Sequence, residues 1–293
     1  MQYELSLQGF SATVESHGGE LVSFRNKQGI EHIWSGDPAF WAGRNPVLFP
    51  IVGSLKNGAI RFDGKEYKMS RHGFARDQEF DVVEQSADRI VFELSENQST
   101  LVRYPYAFKL QVSHQLIKGG FSTVFRIENT GDTSMPFCIG AHTAFRCPFR
   151  EGEHFEDYEI IFEHPEEVSM RLLTKEGLLS SVLCEPFLSA QDRFALNYEL
   201  FARVDTVILN DIKSESIRLV HRENGQGVQM NFKGFPMLAF WTKGAEKAPF
   251  ICLEPWHGCA AVEDETGEFF DKPYCINLSP GEVKMLGYQV VSI

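Results

Sequence analysis

Apolar and polar side chains alternate with period two over most of the chain. In an extended backbone successive side chains point to opposite faces, so this alternation predicts half-buried β-strands. Ala59-Ile60-Arg61-Phe62, then Asp63-Gly64, then Lys65-Glu66-Tyr67-Lys68-Met69 reads as a hairpin. Its Asp-Gly pair supplies the positive φ angles of a type I′ turn. Ser216–His221 and Gly227-Val228-Gln229-Met230-Asn231-Phe232 form a second hairpin around Asn224-Gly225, with a longer loop. Phe80-Asp81-Val82-Val83-Glu84, Arg89-Ile90-Val91-Phe92-Glu93-Leu94, the run from Phe108 to His114 and the run from Phe121 to Glu128 read as a meander.

Helical signals are short. Asp37-Pro38-Ala39-Phe40-Trp41 has a cap followed by proline at the first helical position. Ser189-Ala190-Gln191-Asp192-Arg193-Phe194-Ala195-Leu196 carries a serine cap ahead of a second helical stretch. There is no linker, repeat or low-complexity tract. The expected architecture is all-β: one large β-sandwich domain over residues 1–293, with few short helices.

Composition narrows the partners. Hydrophobic residues make up 43% of the chain and 25 are phenylalanine, enough for a sizeable core. The formal net charge is −12. No basic stripe is visible, which argues against nucleic acid, and an acidic surface opposes docking on anionic lipid. The expected partner is a neutral small molecule or another protein, with the chain a monomer or homodimer. The six cysteines form no Cys-x-x-Cys pair. The first residues lack the basic and apolar regions of a secretory signal, and no apolar run reaches the roughly 18–20 residues of a membrane span. These features lead to the expectation of a cytoplasmic protein with free thiols. Residues 151–167 hold eight acidic side chains beside His154 and His164. A metal site is conceivable there, but a solvated acidic loop and edge strand is the expected reading.

Three titratable groups stand in unusual settings. Phe250-Ile251-Cys252-Leu253-Glu254-Pro255-Trp256 is an apolar strand ending on a glutamate. Proline holds the residue before it extended, so the carboxylate projects beside an indole. It is either a strand cap paired with an arginine or a functional group. His142 lies among small residues in Gly140-Ala141-His142-Thr143-Ala144, either as a satisfied core histidine or open to a ligand. His72, in Arg71-His72-Gly73-Phe74-Ala75-Arg76, lies on a bend that either presents side chains to a ligand or only balances acidic surface. Arg44 and Asn45 belong to the rigid Gly43-Arg44-Asn45-Pro46 segment, and Asp205 precedes a strand, where aspartate is commonly a turn residue. No phosphate loop, Gly-x-Ser-x-Gly elbow or His-Glu-x-x-His motif occurs, and no cofactor or metal is expected.

Together these segments resemble the aldose 1-epimerase (mutarotase) family, and in particular its shorter branch. The resemblance rests on Gly18-Gly19-Glu20-Leu21, Asn45-Pro46-Val47-Leu48-Phe49-Pro50 with Gly53, His72-Gly73-Phe74-Ala75-Arg76, Gly140-Ala141-His142, Asp205 and Leu253-Glu254-Pro255-Trp256. It runs over nearly the whole chain. It implies a large sandwich of the galactose-mutarotase type and an isomerase that interconverts the α and β anomers of a hexose. It also implies Glu254 as general base, His142 as general acid and His72 as assistant. Arg44, Asn45, Arg76, Asp205 and Trp256 would bind the sugar, with Trp34, Trp41 and Trp241 as further stacking candidates. The chemistry suits the residue types, since a carboxylate and an imidazolium can move two protons at once. Glu254 is then expected ionised and His142 protonated, on opposite sides of a pyranose-sized space in one cleft with His72. Two alternatives are a hexose 6-phosphate substrate held by Arg71 and Arg76, and a carbohydrate-binding or sensing module without turnover.

Overall fold

A computed structural model describes residues 1–293. Fourteen strands pair antiparallel into one sheet. A sheet of that width curls over rather than staying flat, and here it closes around a core of 70 buried hydrophobic residues. The chain is an all-β sandwich. Three smaller sheets complete it: Gln2–Leu7, Phe10–Glu15 and Glu20–Arg25; Ala59–Phe62 with Lys65–Lys68; and Met135–Phe137 with Ile276–Leu278.

The alternation seen in the sequence is the cause of this arrangement. Phe108–Ile117 alternates strictly between buried and half-buried positions along its ten residues. Both expected hairpins form, with Asp63 and Gly64 at φ 51° and 77°. The meander forms from Asp81–Gln85, Arg89–Ser95, Phe108–Ile117 and Gly120–Asn129. Val283–Ser292 enters the middle of the large sheet, between Gly120–Asn129 and Gly227–Asn231.

Three expectations are corrected. Residues 37–41 make only a turn. Residues 189–195 are strand, not helix: they belong to Leu179–Ala195, which pairs with Tyr158–Leu173. Local propensity there yields to packing of Phe194 on Phe187 of the same strand and on Phe240 of Met237–Trp241. The helix starts at Tyr198–Val204, where Asn197 caps it by accepting from Glu199 N at 2.7 Å. Finally, Tyr158–Leu173 is no edge strand, because it has partners on both sides. Within it Glu166 is buried and accepts hydrogen bonds from Ser214 N at 2.8 Å and Ser214 Oγ at 2.6 Å. No helix is long and apolar enough to cross a membrane.

Candidate active site

Phe250–His257 is buried along nearly its whole length. Cys252 and Glu254 are two residues apart and so share one face of it. On one side it pairs with Met237–Trp241, placing Ala239 opposite Glu254 and Trp241 opposite Cys252. On the other side the partner is split into Ile139–Gly140 and Thr143–Arg146. The split falls at Ala141 and His142, beside Glu254 and Pro255, whose nitrogen has no proton to give the ladder. His142 thereby leaves the ladder and meets the carboxylate: Nε2 stands 3.3 Å from Glu254 Oε2. Gly140 is required by this packing, since a Cβ there would sit 2.6 Å from Trp256 Cδ1 and displace the indole.

His72 arrives on a loop tied to the same core. Its φ is +67°, and the next residue, Gly73, is at +78° with its Cα so close to Phe49 O that a Cβ would come within 2.2 Å. His72 N donates to Gly53 O at 2.9 Å, and Gly53 N donates back to His72 Nδ1 at 3.1 Å. A backbone N–H only donates, so Nδ1 is the acceptor and the proton of the neutral ring lies on Nε2. Arg71 Nε comes to 3.2 Å from that Nε2. A protonated Nε2 cannot accept, so the Arg71 contact is a close approach and not a hydrogen bond. The consequence is a fixed tautomer that carries its proton on Nε2.

The three groups line one cleft of about 190 Å³ with Trp41, Arg71, Arg76, Asp205, Thr206, Trp241 and Trp256. The His72 and His142 rings meet edge-on with centroids 5.6 Å apart. Trp41 lies over His142 at 4.9 Å, and Trp241 stands edge-on to both. Glu254 is 1% exposed. Burial pushes its carboxyl well above the usual range, an effect that the Arg71 charge only partly offsets. Burial, reinforced by Arg71 and Arg76, pushes the His142 imidazole down to about 3. Burial and the neighbouring His142, Arg71 and Arg76 hold His72 well below its ordinary value. Burial thus opposes charge on both partners of the pair. The 3.3 Å contact corrects the expected placement on opposite sides of a sugar-sized gap. Four buried polar atoms have no hydrogen-bond partner: His142 Nδ1, Thr242 Oγ1, Glu254 Oε2 and Trp256 Nε1. Such atoms are rare, and three of the four belong to residues of this cleft.

The structure separates the other candidates. Arg76, Asp205 and Trp256 line the cleft; Arg44 and Asn45 do not. The Arg44 guanidinium turns away, Nε donating to Ser35 O at 2.9 Å, and lines a larger open depression with Glu4, Thr13 and Arg146. That depression is wider than the cleft but contains none of the orphaned polar atoms. Asn45 is buried behind the site: Nδ2 donates to Tyr288 OH at 3.1 Å and Oδ1 accepts from Thr143 Oγ1 at 2.8 Å. Both backbone nitrogens, of Arg44 and Asn45, donate to the half-buried Glu20 side chain. Asp205 caps the helix end at φ +61° and accepts from Thr206 Oγ1 at 2.8 Å and from Trp241 Nε1 at 3.4 Å. Trp34 packs instead in a small satellite cluster with Phe250. The sequence reading left Thr206 out of the site. The signal for it lies in the pairing of Thr206 with Trp241, which only the sheet register reveals.

The fold and the site define a class: a large antiparallel sandwich in which a histidine and a glutamate meet beside a split strand. The aldose 1-epimerase family model matches residues 1–276, and the chain belongs to that family. It is 35% identical to protein LacX (plasmid) of Lactococcus lactis subsp. lactis, over 99% of both chains. Among solved structures it is similar to a galactose mutarotase related enzyme from Lactobacillus acidophilus, at TM-score 0.92 and 28% identity over 100% of this chain and 97% of the other. It is equally similar to a galactose mutarotase-like protein from Lactobacillus casei ATCC 334, at TM-score 0.92 and 28% identity over 100% of both.

Proposed function

We propose that this protein is an aldose 1-epimerase that interconverts the α and β anomers of a hexose. The observation that carries the reading is the buried His142–Glu254 contact at 3.3 Å, with polar atoms on both residues left without partners. The cleft is smaller than the roughly 300–1,000 Å³ of drug-sized pockets and suits a single ring. In this reading the pair shares one proton. Sugar hydroxyls entering the cleft solvate charge, and the proton passes to His142. Glu254 as carboxylate then takes the proton from the C1 hydroxyl while His142 delivers its own to the ring oxygen. The C1–O5 bond breaks, the aldehyde forms, and the C1–C2 bond rotates. Reversing both transfers closes the ring as the other anomer and restores both groups. His72 Nε2–H assists by donating to a sugar oxygen, and Arg76, Asp205 and Trp256 hold hydroxyls and the C–H face. The test is polarimetry of freshly dissolved α-glucose and α-galactose with the native protein and with Glu254→Gln. Full activity in the variant overturns the mechanism.

A second reading shares the chemistry and changes the substrate to a hexose 6-phosphate. Its support is that Arg71 and Arg76 both line the cleft, with Arg76 Nη2 donating only to Arg71 O at 3.0 Å. A rate on glucose 6-phosphate far above that on free glucose would favour it.

A further inference from the structure

Cys252 has no part in the proton transfers above, yet it shares a strand face with Glu254. One ligand atom from each of His142, Cys252 and Glu254 lies within 4.8 Å of the other two, and all three residues are buried. Tetrahedral ligands at 2.0–2.3 Å from a metal stand about 3.3–3.8 Å apart. The Nε2–Oε2 separation of 3.3 Å already has that spacing. The sulfur needs to move inward by about an ångström at most. Glu254 Oε2 is moreover buried with no hydrogen-bond partner.

We propose that His142, Cys252 and Glu254 form a binding site for one borderline-soft divalent cation of the zinc class. Sulfur, nitrogen and one carboxylate oxygen are the donor types that such ions select. Magnesium and calcium require six or more oxygen ligands and find only one carboxylate here. The Cys252 thiol releases its proton on binding, and the thiolate and the Glu254 carboxylate balance the charge of the cation. Three protein ligands leave the fourth position facing the cleft. Affinity is limited by the second shell. A metal-bound imidazole usually donates its other nitrogen's proton to an acceptor, but His142 Nδ1 has none. A missing outer partner weakens binding by about 10–100-fold. The Arg71 charge beside the site opposes the cation further.

Occupancy would withdraw the proposed acid and base together, so a soft cation should inhibit anomer interconversion. That consequence rests on the function proposed above; the cation site does not. The probe is cadmium, whose bond to a thiolate gives an ultraviolet charge-transfer band. It is titrated into full-length protein carrying Cys184→Ser and Cys275→Ser, which removes the two thiols that are not buried. The expected result is a band saturating at one equivalent, reversed by zinc and not by magnesium. In the same background Cys252→Ala should lose the band. Glu254→Gln, nearly isosteric and retaining the thiol, should weaken binding about tenfold or more. A band that persists in Cys252→Ala, or an affinity unchanged in Glu254→Gln, overturns the site, and the second variant decides should the first not fold. A protein that binds cadmium in this way but does not equilibrate anomers overturns the function and supports the site. One that equilibrates anomers but shows no saturable band overturns the site and supports the function.

Discussion

Glu254 is the residue on which the proposed chemistry depends most. Its carboxyl is fully buried, raised well above its ordinary range and in contact with one imidazole. Glu254→Gln keeps the shape and removes the base, so the catalysed part of anomer equilibration should fall by about 10²–10⁴-fold in polarimetry. Arg44 and Arg76 offer a sharper contrast, because both were candidates to hold the sugar and only Arg76 lines the cleft. Arg76→Ala should raise KM by about tenfold or more, as a charge-assisted hydrogen bond to a hydroxyl is lost. Arg44→Ala should change kcat/KM by no more than about twofold, since its guanidinium bonds to Ser35 O outside the cleft. The His72, His142 and Glu254 trio was legible because each sits in a short, unusual context. Arg44 and Asn45 were misplaced because a rigid loop can be read from prolines, whereas the direction its side chains take depends on what packs behind them. Here that is Glu20, Thr143 and Tyr288, which come from distant parts of the chain.

At the scale of elements, turns and alternation carried most of the fold. Asp63-Gly64 and the meander declared themselves through local rules of φ and period. Residues 189–195 did not, because a serine cap and a run of helix-tolerant residues say nothing about a strand waiting at Tyr158–Leu173. The loop that presents His72 depends on one glycine. Gly73 combines a left-handed φ of +78° with a Cβ position 2.2 Å from Phe49 O. Gly73→Ala should therefore cost at least ~2 kcal/mol of stability, read as a lower urea midpoint with an unchanged slope. Activity should fall with it, since His72 N and Nδ1 are both tied to Gly53 across this bend.

Over the whole molecule, burial of neutral histidines outweighs burial of carboxyls. His32, His72, His114, His142 and His257 are all lowered from 6.5 chiefly by burial, His114 to about 4. Each is held uncharged in the fold, so the unfolded chain takes up protons first as the pH drops. The stability they contribute is complete above about 6.5 and is lost as pH falls through the lowered values. Glu20 and Glu254 act in the opposite sense, since their raised carboxyls contribute most below 4.5 and lose that contribution as pH rises. With five groups against two, the urea midpoint should fall between pH 7 and pH 4.5. His114 is tied to Gly19 O and Thr123 Oγ1 and lies outside the cleft, so His114→Gln should flatten that fall. A midpoint that rises over this interval would contradict the assignment.

The position of Val283–Ser292 bears on how the protein comes to exist. It fills the gap between Gly120–Asn129 and Gly227–Asn231, and its Tyr288 braces Asn45 behind His142. During synthesis both flanking strands must wait, each with a bare row of amide and carbonyl groups, until more than 280 residues have been made. Naked sheet edges invite pairing with other chains. The nascent protein is thus most prone to aggregate until this strand is added. A chain stopped short of residue 283 should be recovered as insoluble material rather than as a slightly less stable protein.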